Sequence, residues 1–340
     1  MKDILLDVIS LTKHYPAGGG GFRAQTVKAV ESVNFQLQRG ETLGLIGESG
    51  CGKSTLGRVL GQLAPATSGQ IRFDGRDISK SSRRELRELR QQIQIIFQDP
   101  YGSLNPRMTI RDIVVEPLRN FGIARGVEAE NIAVRMLNLC GLGRSVLDRY
   151  PREFSGGQRQ RIGIARALVL KPKFVVADEP VSALDVSIQA QVINLLKDLQ
   201  RELGMTYLFI GHDMAVVKHV SDRVAVMYLG RVVEIGTMQQ VYGNPRHPYT
   251  KVLLSSVPIP DPEQERQRTS ITLKGALPSP LSPPSGCSFH TRCPWARLPL
   301  CSTVEPASID VGEGHLSSCH FAVEGVTTTQ DKPPFPVTKQ

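Results

Sequence analysis

Eight consecutive residues, Gly47-Glu48-Ser49-Gly50-Cys51-Gly52-Lys53-Ser54, match G-x-x-x-x-G-K-[ST] in full, with Thr55 next. The glycines Gly47, Gly50 and Gly52 let the backbone curl so that N–H groups along the loop, from Ser49 and Cys51 to Thr55, face phosphate oxygens. Lys53 supplies a point charge for the β- and γ-phosphates, and Ser54 a hydroxyl for Mg²⁺. A second constellation, Asp178-Glu179, closes the apolar run Phe174-Val175-Val176-Ala177. Neighbouring side chains on a strand point apart, so Asp178 is expected to hold the water shell of Mg²⁺ and Glu179 to polarise an attacking water. Between the two lies Phe154-Ser155-Gly156-Gly157-Gln158, a glycine turn opening a helix. Its free N–H groups and dipole make an anion site. The phosphate loop is already the obvious triphosphate cradle, so a second such site invites a second molecule; the plainer alternative is a helix cap by Ser155.

These residues need elements to carry them. Thr42 to Ile46, Phe174 to Ala177 and Tyr207 to Ile210 are short apolar runs ending in glycine or polar residues, as buried parallel strands do. In open α/β sheets ligands bind at the carboxyl ends of such strands, so their polar termini are where chemistry is to be sought. Leu5 to Leu11, Val27 to Leu37 and Ile71 to Phe73 alternate more and predict an antiparallel flank. Helical periodicity over Ile110 to Leu118, Ala129 to Cys140 and Gly157 to Leu170 predicts a helical insertion over about 101–170. Ala225 to Ile235 reads as a hairpin around Gly230, followed by one helical stretch from Met238 to Leu254. Prolines crowd the next segment and prevent regular structure.

Composition narrows the class. The chain has 340 residues, 41 Lys and Arg against 32 Asp and Glu, and a net charge of +9, which favours anionic partners: nucleotides, nucleic acid or a membrane face. No run of about eighteen apolar residues occurs, and Asp3 precedes only a short apolar stretch, so neither a membrane span nor a signal peptide is expected. Four of the six cysteines, Cys287, Cys293, Cys301 and Cys319, crowd the end of the chain. In a reducing compartment that pattern points to metal before disulfides. Four thiolates can close a Zn²⁺ site or hold a [4Fe-4S] cluster, and the spacing alone leaves both open, beside unligated buried cysteines.

The Ser155-Gly156-Gly157-Gln158 turn, the Asp178-Glu179 strand end, Ser182-Ala183-Leu184-Asp185 and the isolated His212, taken with the phosphate loop, resemble the ATP-binding cassette ATPases over roughly residues 5–255. The resemblance implies a P-loop ATPase with a RecA-like core, an antiparallel β flank and a helical signature subdomain. It also implies a head-to-tail dimer in which each signature helix closes over the other subunit's nucleotide. Tyr15 is then expected to stack on adenine, and Gln98 to touch Mg²⁺ and report to the membrane partner. Asp185 is expected to couple the two sites, and His212 to hold the γ-phosphate and the water. Phe154 stands where the family's signature has leucine, an apolar exchange that packing should tolerate.

Two further stretches, Asn244-Pro245-Arg246-His247-Pro248-Tyr249-Thr250 and Gly286-Cys287-Ser288-Phe289-His290-Thr291-Arg292-Cys293, are similar to the C-terminal extension of peptide-importer ATPases. Among these the chain looks closest to the F-type subunits of dipeptide permeases. That resemblance implies a [4Fe-4S] cluster on the four late cysteines, with zinc as the alternative. The implied partners are a homologous D-type ATPase subunit, two permease subunits and a periplasmic peptide-binding protein, at the cytoplasmic face of the inner membrane. The loop from Gln98 to Pro106 is expected to receive a permease helix. The cargo implied is dipeptides, with oligopeptides, nickel or opines as alternatives. Nucleic acid is not an expected partner, since no sustained heptad run or DNA-binding insertion is present. The expected organisation is a cassette over 1–255, a proline-rich linker over 256–286, a cysteine-bearing extension over 287–326 and a disordered tail over 327–340.

Overall fold

The computed structural model describes residues 3–17, 25–99, 101–256, 271, 273 and 275–324. Much of the proline-rich linker and the tail expected over 327–340 lie outside these residues. The chain opens with β1 (Ile4–Ala17), β2 (Gln25–Gln38) and β3 (Thr42–Ile46), then α1 (Lys53–Leu60), β4 (Ser68–Phe73), β5 (Arg76–Asp77), α2 (Arg83–Gln92) and β6 (Ile93–Ile96). Three helices follow with no strand among them: α3 (Ile110–Phe121), α4 (Gly126–Leu139) and α5 (Gly156–Leu168). Then come β7 (Phe174–Asp178), α6 (Val186–Leu203), β8 (Thr206–Ile210), α7 (Met214–Val220), β9 (Arg223–Tyr228) and β10 (Arg231–Thr237). Helices α8 (Met238–Gly243), α9 (Pro248–Ser255) and α10 (Leu300–Thr303) and strands β11 (Ile309–Asp310) and β12 (Leu316–Ser317) complete the described chain.

The strands form two sheets. A four-stranded antiparallel sheet runs β2-β1-β4-β5, and an eight-stranded sheet runs β11-β12-β10-β9-β3-β8-β7-β6. The parallel heart of the larger sheet is β9-β3-β8-β7-β6, with Leu45 opposite Ile210 and Asp178 opposite Ile210 in register. Parallel pairing puts the carboxyl ends of β3, β6, β7 and β8 along one edge, so residues far apart in sequence arrive side by side.

That heart is buried on both faces, which explains its unbroken apolar runs. Val175 and Ala177 of β7, with Tyr207 and Phe209 of β8, pack under α3 to α7. Phe174, Val176, Leu208 and Ile210 point the other way, into a core shared with α1 and the antiparallel sheet. Each such side chain removed from water contributes about 1.5–3 kcal/mol.

Two features differ from the sequence expectation. The helical stretch predicted from Met238 to Leu254 is two helices broken at Asn244. Pro245 and Pro248 lack the N–H that a continuous helix needs, and Pro248 instead starts α9 with His247 as its cap. The cysteine-bearing extension is not set apart either: β12 pairs with β10, Glu234 opposite Ser317, and so lengthens the main sheet. Phe289 of the extension is fully buried, its ring 5.2 Å from Tyr228 and 5.3 Å from Tyr249. No helix among the described residues is long and apolar enough to cross a membrane.

Candidate functional site

The loop from Gly47 to Thr55 joins β3 to α1. Its last turn depends on Gly52, which caps α1 with φ 109 and lies so close to the Ala29 carbonyl oxygen that a Cβ there has no space. Lys53 is buried and curls back over the loop, its Nζ donating to the Gly47 carbonyl at 2.7 Å and the Glu48 carbonyl at 3.1 Å. Ser49 and Gly50 are exposed, and Thr55 is half-buried. Cys51 is buried, burial pushes its thiol pKa up, and its N–H turns back to the Glu48 carbonyl at 3.2 Å. Its side chain therefore packs as an apolar group while only its main chain belongs to the loop.

The strand ends meet this loop. The Ser54 hydroxyl donates to Asp178 Oδ1 at 3.0 Å, tying the start of α1 to the end of β7. Asp178 is buried, and burial raises its carboxyl above the usual range; the Ser54 hydroxyl opposes that shift and the neighbouring Glu179 adds to it. Glu179 sits in the left-handed region with φ 47, a strained setting for a side chain of its size, and its N–H donates to the Ile210 carbonyl at 3.0 Å. This turn swings its carboxylate to two partners. Gln98 Nε2 donates to Glu179 Oε2 at 3.0 Å, and His212 Nδ1 meets the same oxygen at 3.1 Å. Gln98 follows β6, Glu179 follows β7 and His212 follows β8, so three strand ends supply one cluster.

Ser54, Gln98 and Asp178 line a single cavity with Arg58 and Arg166. A hydroxyl, an amide and a carboxylate offer oxygen donors of the kind Mg²⁺ prefers, and the two guanidinium groups suit an anion beside it. This donor set fits the expected metal.

The signature turn lies elsewhere. Ser155 caps α5 in a reciprocal pair: its hydroxyl accepts from the Gln158 N–H at 3.3 Å and its own N–H donates to the Gln158 side chain at 3.1 Å. Ser155 and Gln158 are exposed, and neither they nor Gly156 and Gly157 line the cavity of Ser54 and Asp178. A Cβ on Gly157 would stand 2.5 Å from Ile188 on α6, so glycine is what lets the two helices touch. Phe154 is buried with the Arg149 guanidinium 4.3 Å over its ring. The Gln98 loop leans on this helix: Arg166 donates to the Ser103 carbonyl, and Arg159 stacks 4.1 Å over Tyr101.

Two expected residues stay apart from the cluster. Asp185 precedes α6, exposed and making no capping hydrogen bond. Tyr15 stands on β1 opposite Val27, with Lys13 Nζ 4.7 Å over its ring.

The four late cysteines are unpaired thiols that share one neighbourhood. Burial pushes Cys293 up to about 12 and Cys319 up to about 11, and the other three thiols push Cys293 further. A mononuclear zinc centre is not formed: among the described residues no group of three or more His, Cys, Asp or Glu is placed to hold a metal ion. The same observation leaves the [4Fe-4S] expectation without a preformed site. Cys287 and Cys293 pack instead against the main core, and burial raises both thiols above their usual range.

One part of the site has no signal in the sequence. Glu48 of the phosphate loop is gripped by Arg292 and Tyr249, residues that no spacing or motif connects to it.

Comparison with known proteins gives the family. The family model for ABC transporters matches residues 30–182, and that for the C-terminal region of oligopeptide/dipeptide transporters matches residues 233–301. The chain is 52% identical to the oligopeptide transport ATP-binding protein OppF of Salmonella typhimurium, over 94% of this chain and 96% of that one. It is 51% identical to AppF, the oligopeptide transport ATP-binding protein of Bacillus subtilis, over 94% and 98% of the two chains. Among solved structures, the dimeric bacterial ABC transporter cassette MJ0796 superposes with a TM-score of 0.62 at 30% identity, covering 69% of this chain and 99% of that one. By sequence, fold and the arrangement of its strand ends, the chain belongs to the ABC transporter ATPases, in the branch that carries the oligopeptide/dipeptide transporter C-terminal region.

Proposed function

We propose that the chain binds and hydrolyses ATP to power peptide uptake by an ABC importer at the cytoplasmic face of the inner membrane. It works with a homologous ATPase subunit, two permease subunits and a periplasmic peptide-binding protein. The observation that carries this reading is the meeting of Gln98, Glu179 and His212 beside the Ser54–Asp178 pair. Dipeptides are the cargo inferred from the likeness to dipeptide permease subunits; the relatives named above are oligopeptide transport proteins, so short peptides are the shared class.

The residues divide the work by position. Main-chain N–H groups of Ser49, Gly50 and Gly52 to Thr55 receive the phosphates, and Lys53 faces the β- and γ-phosphates. Ser54, Gln98 and Asp178, which line one cavity, would hold Mg²⁺, and the ion would offset phosphate charge. Glu179 orients and deprotonates the attacking water, and His212 fixes that water through their shared contact. Ser155 and Gln158, exposed on their own chain, serve with Gly156 and Gly157 the nucleotide held by the partner, and Asp185 links the two sites. Tyr15 stacks on adenine. In the assembled importer Glu179→Gln is expected to keep ATP binding and dimer closure while turnover falls by about 10²-fold or more. Full turnover in that variant overturns the assignment.

A second reading concerns Cys287, Cys293, Cys301 and Cys319. We infer that they take up a [4Fe-4S] cluster during assembly, as a structural staple. What supports it is that the fold draws cysteines from separate turns together, the Cys287 N–H donating to the Cys301 carbonyl at 2.9 Å. The ligands of a cubane each bind a different iron and so stand farther apart than those of zinc. Anaerobically purified protein should contain about four irons and as many sulfides per chain. Protein free of iron, or loaded with zinc alone, contradicts it.

A further inference from the structure

Glu48 is the second residue of the phosphate loop, yet both ends of it are held by residues from far along the chain. Arg292 Nη1 donates to Glu48 Oε2 at 2.9 Å and Nη2 to Oε1 at 3.2 Å, a two-point contact spanning 244 positions. The Glu48 N–H donates to the Tyr249 hydroxyl at 2.8 Å. Arg292 is 9% exposed and the Glu48 side chain 25%, so the pair is partly withdrawn from water. Two-point guanidinium–carboxylate contacts are strongest there, and stranding either charge is costly.

The platform behind Arg292 is stiff. Phe289, three residues earlier, is fully buried and packs with Tyr228 and Tyr249. The Arg292 N–H donates to the Phe289 carbonyl and the His290 N–H to the Cys287 carbonyl, both at 3.0 Å. On the other side, a glycine-rich loop has many backbone alternatives, and only one curvature turns its N–H groups together onto phosphate. Lys53 also bonds the Glu48 carbonyl, so an anchor on Glu48 acts on the groups that meet the nucleotide.

We propose that Arg292 is a positioning residue for nucleotide binding: the C-terminal extension holds the phosphate loop in shape through Glu48, so ATP affinity depends on the extension being docked. This rests on the reading of that loop as the ATP site.

The test is equilibrium titration of the full chain with a fluorescent N-methylanthraniloyl ATP. Arg292→Gln is expected to raise its Kd about tenfold, with kcat at saturating ATP kept within about twofold. Arg292→Lys should recover part of the loss, keeping the charge but not the two-point geometry. Glu48→Gln in the Arg292→Gln background should add nothing, since both remove one contact. An unchanged Kd with a lowered melting temperature overturns the proposal, because the pair then only fastens the extension. If Arg292→Gln does not fold, Glu48→Gln in the same titration decides. Lys53→Ala separates the two possible failures. Nucleotide binding that survives Lys53→Ala refutes the ATP-site reading; binding lost there but normal in Arg292→Gln refutes only the anchor.

Discussion

His212 Nδ1 and Glu179 Oε2 stand 3.1 Å apart at the ends of two neighbouring parallel strands. The strained backbone at Glu179, with φ 47, is what turns its carboxylate from the sheet toward that ring. Gln98 takes hold of the same oxygen from the third strand, at 3.0 Å. A carboxylate fixed between an amide donor and an imidazole has one orientation, which is the requirement for a residue that must meet a single water.

From this follows an asymmetry between binding and turnover. His212→Ala is expected to lower kcat by about 10²-fold or more while ATP affinity stays within about threefold, because the histidine acts on the water and not on the bulk of the nucleotide. Single-turnover hydrolysis beside an equilibrium ATP titration measures both. Equal losses in the two would place His212 in nucleotide binding instead.

The Ser54–Asp178 hydrogen bond predicts how the metal requirement responds to acid. Burial raises the Asp178 pKa, and the Ser54 hydroxyl restrains the rise. Asp178 binds a cation only as a carboxylate, so Mg²⁺ affinity is full above the raised pKa and is lost as pH falls through it. Ser54→Ala removes a proposed Mg²⁺ ligand together with that hydroxyl, so it is expected to weaken Mg²⁺ at every pH. Mg²⁺ titrations of ATPase rate across the acid range record the wild type's loss of Mg²⁺ affinity as pH falls. A wild-type Mg²⁺ affinity that does not change with pH would sink this account.

Gly52→Ala tests the shape of the loop. At φ 109, with the Ala29 carbonyl oxygen in the way, a methyl group meets both backbone strain and a clash that no side-chain motion relieves. The cost is expected to be about 2 kcal/mol or more in stability, with ATP binding abolished. Denaturant unfolding and nucleotide titration check the two parts separately.

His247 predicts an acid-sensitive junction between cassette and extension. It is fully buried, and burial lowers its pKa from 6.5 to about 4, against the pull of Glu234. The unfolded chain binds a proton near 6.5 while the folded chain does not until about 4. Stability is therefore complete above the unfolded value and declines as pH falls between the two, by about 2 kcal/mol at pH 5. His247→Asn keeps a cap acceptor for the Tyr249 N–H, now accepted by His247 Nδ1 at 3.1 Å, but cannot titrate. Its melting temperature should fall less between pH 7 and pH 5 than that of the wild type.

What the sequence determined by itself is whatever depends on local order. The run from Gly47 to Thr55 carries its own curvature in its glycines and its own charge in Lys53. The alternating burial of Phe174 to Asp178 follows from the strand period, which already splits Asp178 from Glu179. The capping pair Ser155 and Gln158 lies within one helical turn. Tertiary structure decided the rest, because it turns on which strand ends lie side by side. Parallel pairing of β6, β7 and β8 brings Gln98, Glu179 and His212 onto one oxygen, and no spacing in the chain encodes those distances. The same is true of Glu48 and Arg292: the extension reaches the phosphate loop only because β12 joins the edge of the main sheet and Phe289 is buried against Tyr228 and Tyr249. Cys287 and Cys293, which in sequence belong to a cysteine-bearing extension, are by this packing set against the main core.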